Sequence, residues 1–305
     1  MRRAVVFAHY DKDNLIDDYV VYYVSALKKA GCDVVFVSCK ELAQTELEKL
    51  NGLVIHTITE NHDEYDFGSY KRGFLYLEPK LSEYDELIFA NDSCYGPLYP
   101  ISEVFAEMEK KNCDFWGITK NNYAYQAFVK QIFFKVPHIQ SYFISFKRQI
   151  FQNSIFINFV KSITFQSCKQ DIISKYEVGL SQLLYENNFR SDEYIKDYSY
   201  QALICFWQKL VIKNKMPFVK CSVLRKKNNE ITLTYNWENI LKQTSYPVDF
   251  IRKNLLRTQI TVPQNKQKMD KIFAILYIHS PLFMKKFLIR SYKFVYKCVC
   301  SLLFS

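Results

Sequence analysis

Asp92 stands between Asn91 and Ser93 in NDSCYGP (91–97), a loop that follows a β-branched run. One carboxylate beside two neutral oxygen-bearing side chains could share a divalent cation, Mg2+ or Mn2+, or could bind a ribose or sugar hydroxyl. The competing reading is an Asx-turn that caps the loop before Pro97. DEYDFGSYKRG (63–73) places Asp66 beside Gly68 and then supplies Lys71 and Arg72. An acid, a small residue and two cations could meet a nucleotide, with Asp66 receiving hydroxyls and Lys71 or Arg72 neutralising phosphate. Equally, the segment could be a solvated helix start capped by Asp66 or Ser69. Glu177, in KYEVGLS, lies in an otherwise apolar helical stretch near Gly179. Desolvation there would raise its pKa toward that of a useful general base. Asp114 is the second choice for that role. Gln140 and Ser141 open an apolar strand and could bind hydroxyls, and His9, just past the first strand, is the histidine placed nearest these groups. Tyr95, Trp116 and Tyr142 could offer a sugar-stacking face, although aromatics make up 17% of the chain and most must be core.

The elements that must position these groups alternate as in an open α/β sheet. Strands are predicted at Val5–Ala8, Asp33–Ser38, Leu53–Thr57 and Glu86–Ala90. Between them lie helices over Leu15–Ala30, whose apolar residues recur at helical spacing, and Glu41–Leu50. This βαβαβ pattern implies a mostly parallel sheet with ligands at the carboxyl ends of its strands, which is where the Asn91–Ser93 loop falls. A helix follows from about 101 to 111. Further strands are expected at 113–119 and 139–146, with helical patterns at 169–187, 199–214, 237–256 and 268–304.

A chain of 305 residues, 49% apolar and 24% charged, is long enough to bury a substantial core, which excludes disorder as its main state. Its nine cysteines show neither CxxC pairs nor nearby histidine runs, against both a zinc module and a secreted disulfide scaffold, and a reducing cytoplasm is the expected home. The start reads as a strand, with no signal peptide, and Ile272–Met284 is too short to span a bilayer. The net charge of +10 is uneven. Residues 1–120 hold 13 Lys+Arg against 21 Asp+Glu, leaving 28 against 10 for the rest. A basic second half could face nucleic acid, an anionic membrane or a phosphorylated substrate. No RNP, KH, zinc-finger or helix-turn-helix signature is present, so nucleic acid is not the expected partner. P-loop, GxSxG and GxGxxG patterns are also absent.

Only seven glycines occur, and five fall in YDFGSYKRG, NDSCYGP, DFWGIT and YEVGLS. NDSCYGPLYPISEVF, CDFWGIT, HIQSYFISFKR and YEVGLSQLL, in that order, resemble successive blocks of the rhamnan synthesis protein F family, bacterial glycosyltransferases of cell-surface polysaccharide assembly. The resemblance runs from His9 to about Lys220. It implies a GT-A-like, Rossmannoid α/β fold and a transferase, often a rhamnosyltransferase, using a nucleotide diphosphate sugar. Such enzymes carry an acidic DxD-type motif where Asn91, Asp92 and Ser93 stand. Only one of the three here is an acid, which leaves metal dependence open.

Residues 281–305 contain five cations and no anions. Lys286, Arg290, Lys293 and Lys297 form one helical stripe among apolar residues, the pattern of a helix lying on an anionic membrane surface; the alternative is a helix packed on the protein with its basic face in water. The expected organisation is therefore a nucleotide-sugar-binding catalytic domain over 1–220 and a helical region over 221–305 ending in the basic tail. Together these readings describe a cytoplasmic enzyme, peripheral on the inner face of the membrane, that acts on a lipid-linked or oligosaccharide acceptor. The rival from another class is a non-catalytic carbohydrate-binding or assembly subunit with the same fold.

Overall fold

The computed structural model describes residues 1–125, 133–196, 207–225 and 236–259. Its strands are β1 (Arg3–His9), β2 (Cys32–Ser38), β3 (His56–Thr59), β4 (Glu86–Asn91), β5 (Cys94–Tyr95), β6 (Phe115–Tyr125), β7 (Phe133–Ile139), β8 (Phe143–Lys147), β9 (Ser191–Ile195) and β10 (Val219–Lys220). The main sheet runs in the order β3-β2-β1-β4-β8-β6-β7, with β9 also paired to β6. Strands β3, β2, β1 and β4 are mutually parallel, and β6 and β9 are parallel to each other. β8 runs antiparallel between β4 and β6. This is the mostly parallel α/β sheet that the sequence predicts.

Every residue of β1 and β4 is buried, as expected for parallel strands covered on both faces. Alternation along β1 divides the interior in two. Val5 and Phe7 meet Tyr19, Tyr23 and Leu27 of the Asp18–Lys29 helix, while Ala4, Val6 and Ala8 meet Phe67, Tyr70 and Phe74 of the Tyr65–Leu77 helix. Beyond residue 206, the helices Trp207–Asn214, Trp237–Leu241 and Val248–Arg257 bury Trp207, Leu210, Trp237, Leu241 and Ile251 in the same core as Val5. The basic tail, with Lys286, Arg290, Lys293 and Lys297, and the segment 268–304 lie outside the described residues. Among the described residues no helix is long and apolar enough to cross a membrane.

Three elements differ from expectation. The third strand starts at His56, because Leu53 ends the preceding turn and both it and Val54 pack on the first core. The helix expected over Glu41–Leu50 contracts to Gln44–Leu47 and a 3-10 turn, Glu48–Leu50, where Glu46 accepts hydrogen bonds from the Ile16 N–H (2.6 Å) and Lys49 Nζ (2.7 Å). The strand expected over 139–146 breaks at Gln140–Tyr142. Between the pairs Lys120↔Ile139 and Gly117↔Ile144, three steps along β6 face five along the returning chain, a bulge that re-aims the side chains within it.

Candidate functional site

A cleft of about 580 Å3 opens at the carboxyl ends of β1, β2 and β4. Its lining comes from the turns after those strands (His9 and Tyr10, Cys39 and Lys40, Asn91 to Ser93), from the start of the Tyr65–Leu77 helix, and from Phe165 to Lys169. Asp66, Asn91, Asp92, Ser93 and His9 are therefore brought together.

Asp92 is held from several directions. Its Oδ2 accepts hydrogen bonds from His9 Nδ1 (2.7 Å) and the Tyr10 N–H (3.0 Å). Its carbonyl accepts from the Tyr19 hydroxyl (3.1 Å) and Cys221 Sγ (3.6 Å). The short β5–β10 ladder and a 2.8 Å bond from the Cys221 N–H to the Ser93 carbonyl strap the loop to a segment more than a hundred residues away in the chain. Asn91 makes the Asx-turn, its Oδ1 accepting from the Ser93 N–H (3.1 Å) and hydroxyl (2.5 Å). Its Nδ2 nevertheless donates across to Asp66 Oδ2 at 3.0 Å.

Burial, and then the negative charge of Glu177, raise the Asp66 pKa to about 6, while Lys169 and the Asn91 hydrogen bond oppose the shift. Glu177 itself does not line the cleft. It lies in a π-helical turn, Ile173–Val178, inside the longer helix that runs from Lys169 to Glu186. One of its oxygens accepts from both the Ser141 N–H (2.8 Å) and the Ser141 hydroxyl (2.6 Å), and the other is 3.8 Å from His138 Nε2. The bulge at Gln140–Tyr142 is what turns Ser141 toward that helix. Gln140 faces elsewhere, its Oε1 accepting from the Thr119 hydroxyl at 2.8 Å.

Several expected residues take other roles. Asp114 precedes β6, beside the paired residues Phe115 and Phe146, at the end of the sheet opposite Asn91. There its carboxylate accepts from Gln149 Nε2 and the Arg190 N–H (both 2.6 Å), so it is not a second base for the cleft. Lys71 Nζ donates to the Ile163 carbonyl at 2.8 Å, and Arg72 pairs with Glu60 and Glu64; neither lines the cleft. Gly68 serves packing, since an added Cβ would stand 2.4 Å from Glu64 Cβ and 2.9 Å from His62 Nδ1. Tyr95, Trp116 and Tyr142 are core residues, at most 3% exposed.

The cations at the cleft are instead Lys40 and Lys169, and neither makes an ion pair among the described residues. Lys169 begins a helix, whose amino-terminal amides favour anions. His62, which also lines the cleft, is bonded to the Ser69 hydroxyl (3.1 Å), and burial lowers its pKa to about 4, so it is neutral near pH 7. Nothing in the local sequence of Lys40 or Lys169 marks them. They are recognisable only once strand ends and the 165–169 segment are known to converge.

Among the described residues no group of three or more His, Cys, Asp or Glu side chains could hold a metal ion. Asp92 Oδ2 already accepts two protein hydrogen bonds, and Asp66 is tied to Asn91. Asp92 and Asp66 alone do not make a closed cation site, and a divalent ion here would also need the phosphates of a bound nucleotide; Asp92 as its protein ligand is a proposal.

The sequence matches the profile of Rhamnan synthesis protein F over residues 34–285. The uncharacterized protein y4gN of Sinorhizobium fredii is 25% identical over 173 residues, covering 57% of this chain and 43% of that protein, so the chain spans less than half of that relative's length. The solved glycosyltransferase GlyE of Streptococcus pneumoniae is similar over 86% of this chain and 65% of its own, at 11% identity and a TM-score of 0.38. Core-mannan synthase A of Aspergillus fumigatus, in its Mn/GDP form, is similar over 59% of this chain and 69% of its own, at 8% identity and a TM-score of 0.38. With the match covering most of its length, the chain belongs to the Rhamnan synthesis protein F family.

Proposed function

We propose that the protein is a glycosyltransferase that takes a sugar from a nucleotide diphosphate donor bound in the cleft. The observation that carries this reading is the convergence of Asp66 and Asp92 with Lys40 and Lys169 on one cavity at the carboxyl ends of parallel strands. Lys40, Lys169 and the amino-terminal amides beginning at Lys169 would meet the charge of the leaving diphosphate. Asp92 keeps His9 and the Tyr10 backbone in place as part of the cleft wall. Asp66, its pKa raised to about 6, is the general base. As the acceptor oxygen bonds to the anomeric carbon, its proton passes to Asp66 and the bond from that carbon to the diphosphate oxygen breaks. Glu177, the base expected from sequence, stands behind Asp66 and tunes it. No step is assigned to a metal ion.

Family membership supports rhamnose as the sugar and a growing lipid-linked glycan of cell-surface polysaccharide as the acceptor. The basic tail supports a location at the inner face of the membrane. A thermal-shift series with dTDP-, UDP- and GDP-sugars, with and without Mn2+, tests donor binding, because a ligand of the folded form raises the midpoint. Transfer or donor hydrolysis that is lost in Asp66→Asn separates an enzyme from a non-catalytic binding subunit. No stabilisation by any nucleotide sugar overturns the donor site.

A further inference from the structure

Tyr10 (58% exposed), Tyr65 (43%) and Phe165 (60%) are the exposed Phe, Tyr and Trp residues among those whose side chains the structure describes. All three line the candidate cleft, and their exposure puts them at its opening. The whole chain has 25 Phe, 23 Tyr and 3 Trp, and the others whose side chains the structure describes are at least partly buried. Isolated exposed apolar side chains are ordinary on a protein surface, but exposed rings gathered at one opening mark a binding surface. Tyr65 adds a second observation, since it is held at φ +54°, a conformation that bulky residues rarely adopt. Relief was available through Asn or Gly at that position, yet the chain keeps a ring there.

We infer that Tyr10, Tyr65 and Phe165 form the platform on which sugar rings of the acceptor glycan lie. This deepens the reading of the cleft as a donor site and rests on it. A cavity of about 580 Å3 is the size that encloses one small ligand. With a nucleotide sugar inside, a glycan chain must be met at the opening. The cleft separates its chemistry accordingly: Asp66, Asn91, Asp92 and the two lysines suit the charged, hydroxyl-rich donor, and the rim offers rings. The apolar C–H face of a pyranose packs on an aromatic face while its hydroxyls stay in water, which half-exposed rings allow. An acceptor held at the rim points its terminal hydroxyl inward, toward Asp66.

The test uses the full chain and two probes: a panel of rhamnose-, mannose- and glucose-containing oligosaccharides followed by saturation-transfer NMR, and the nucleotide sugars followed by thermal shift. Phe165→Ala and Tyr65→Asn are each expected to weaken oligosaccharide binding roughly three- to tenfold and leave the nucleotide-induced shift in place. Tyr65→Asn also relieves the backbone, so its melting temperature should stay level or rise while glycan binding falls, an outcome that a ring kept only for folding would not give. Oligosaccharide affinity unchanged in both variants, or no oligosaccharide bound by the parent protein, overturns the platform. A nucleotide shift that falls in step with the loss of the rings also overturns it, assigning the rim to the donor's base. If oligosaccharides bind through the rim while no nucleotide sugar binds at all, the platform stands and the donor reading fails.

Discussion

Glu177 acts on Asp66 through space, and Ser141 fixes it in that position with two hydrogen bonds, of 2.8 and 2.6 Å, to a single carboxylate oxygen. Two acids with different duties result, one locked by hydrogen bonds and one lining the cleft with its pKa pushed up to about 6. Glu177→Gln keeps the shape and removes the charge. The Asp66 pKa should fall in that variant yet stay above the ordinary aspartate value, because burial is the larger cause. The acid limb of the rate profile should move to lower pH, and an unmoved limb would remove Asp66 from the role of base.

Stability carries the same signature. Between about pH 4 and pH 6 the folded protein binds more protons at Asp66 than the unfolded chain does. Asp66 therefore contributes stability that is fully present below its unfolded pKa and is lost as pH rises through about 6. Urea unfolding at pH 4.5 and 6.5 should show the parent losing stability relative to Asp66→Asn across that window, and parallel curves would show that the shift is absent.

Asp92 is predicted to matter as a hydrogen-bond acceptor. Asp92→Ala leaves the buried His9 Nδ1 and the Tyr10 N–H without their partner, at a cost of about 1–3 kcal/mol. Asp92→Asn retains one acceptor oxygen and should lose less. Melting temperatures in the order parent, Asn, Ala, together with a donor affinity that does not depend on added Mn2+, are the expected outcomes. Donor binding that is abolished by chelation would instead make Asp92 a metal ligand.

Much of this arrangement is legible in the sequence. The parallel strands announce themselves as short β-branched runs, and NDS falls at the end of one of them, so Asp92 and Asp66, which both line the cleft, could be named as candidates without coordinates. Lys71 and Arg72 were misplaced because adjacent charges do not reveal which side of a helix faces the cleft; here Glu60, Glu64 and the Ile163 carbonyl claim them. Asp114 follows the same logic, its position at a strand's beginning and not its end being a matter of topology. The aromatics of the NDSCYGP, DFWGIT and HIQSYFISF blocks pack in the core, while the exposed rings sit in loops or, for Tyr65, at the first residue of a helix, with no pattern of their own. The bulge at Gln140–Tyr142 comes from pairing with β6, a long-range fact that no local periodicity carries.

Lys40 and Lys169 are expected to hold the donor through its phosphates. Removing either side chain should weaken nucleotide diphosphate binding roughly tenfold, equivalent to about 1.4 kcal/mol. Because the attraction is partly screened, the affinity of the parent should fall between 0.05 and 0.5 M salt more steeply than that of the double variant Lys40→Ala/Lys169→Ala. Isothermal titration with UDP, GDP and dTDP at the two salt concentrations measures both effects, and equal slopes would show that the lysines do not face phosphate.

Gly117 tests how the sheet supports the acids from a distance. It lies on β6 opposite Ile144, where the returning strand resumes after the bulge. A Cβ there would stand 2.2 Å from Ile139 Cγ2 and 2.9 Å from the Phe143 carbonyl oxygen. Ile139 could turn aside, but the carbonyl belongs to a backbone paired on both sides and has little freedom. Gly117→Ala should therefore cost about 1–3 kcal/mol of stability, as overpacked sites do. The strain falls on both flanks of Gln140–Tyr142, so Ser141 should shift, its grip on Glu177 should loosen and the pKa of Asp66 should change with it. A variant that melts several degrees lower yet keeps the parent's pH–rate profile would show that the bulge and the Asp66–Glu177 pair are uncoupled.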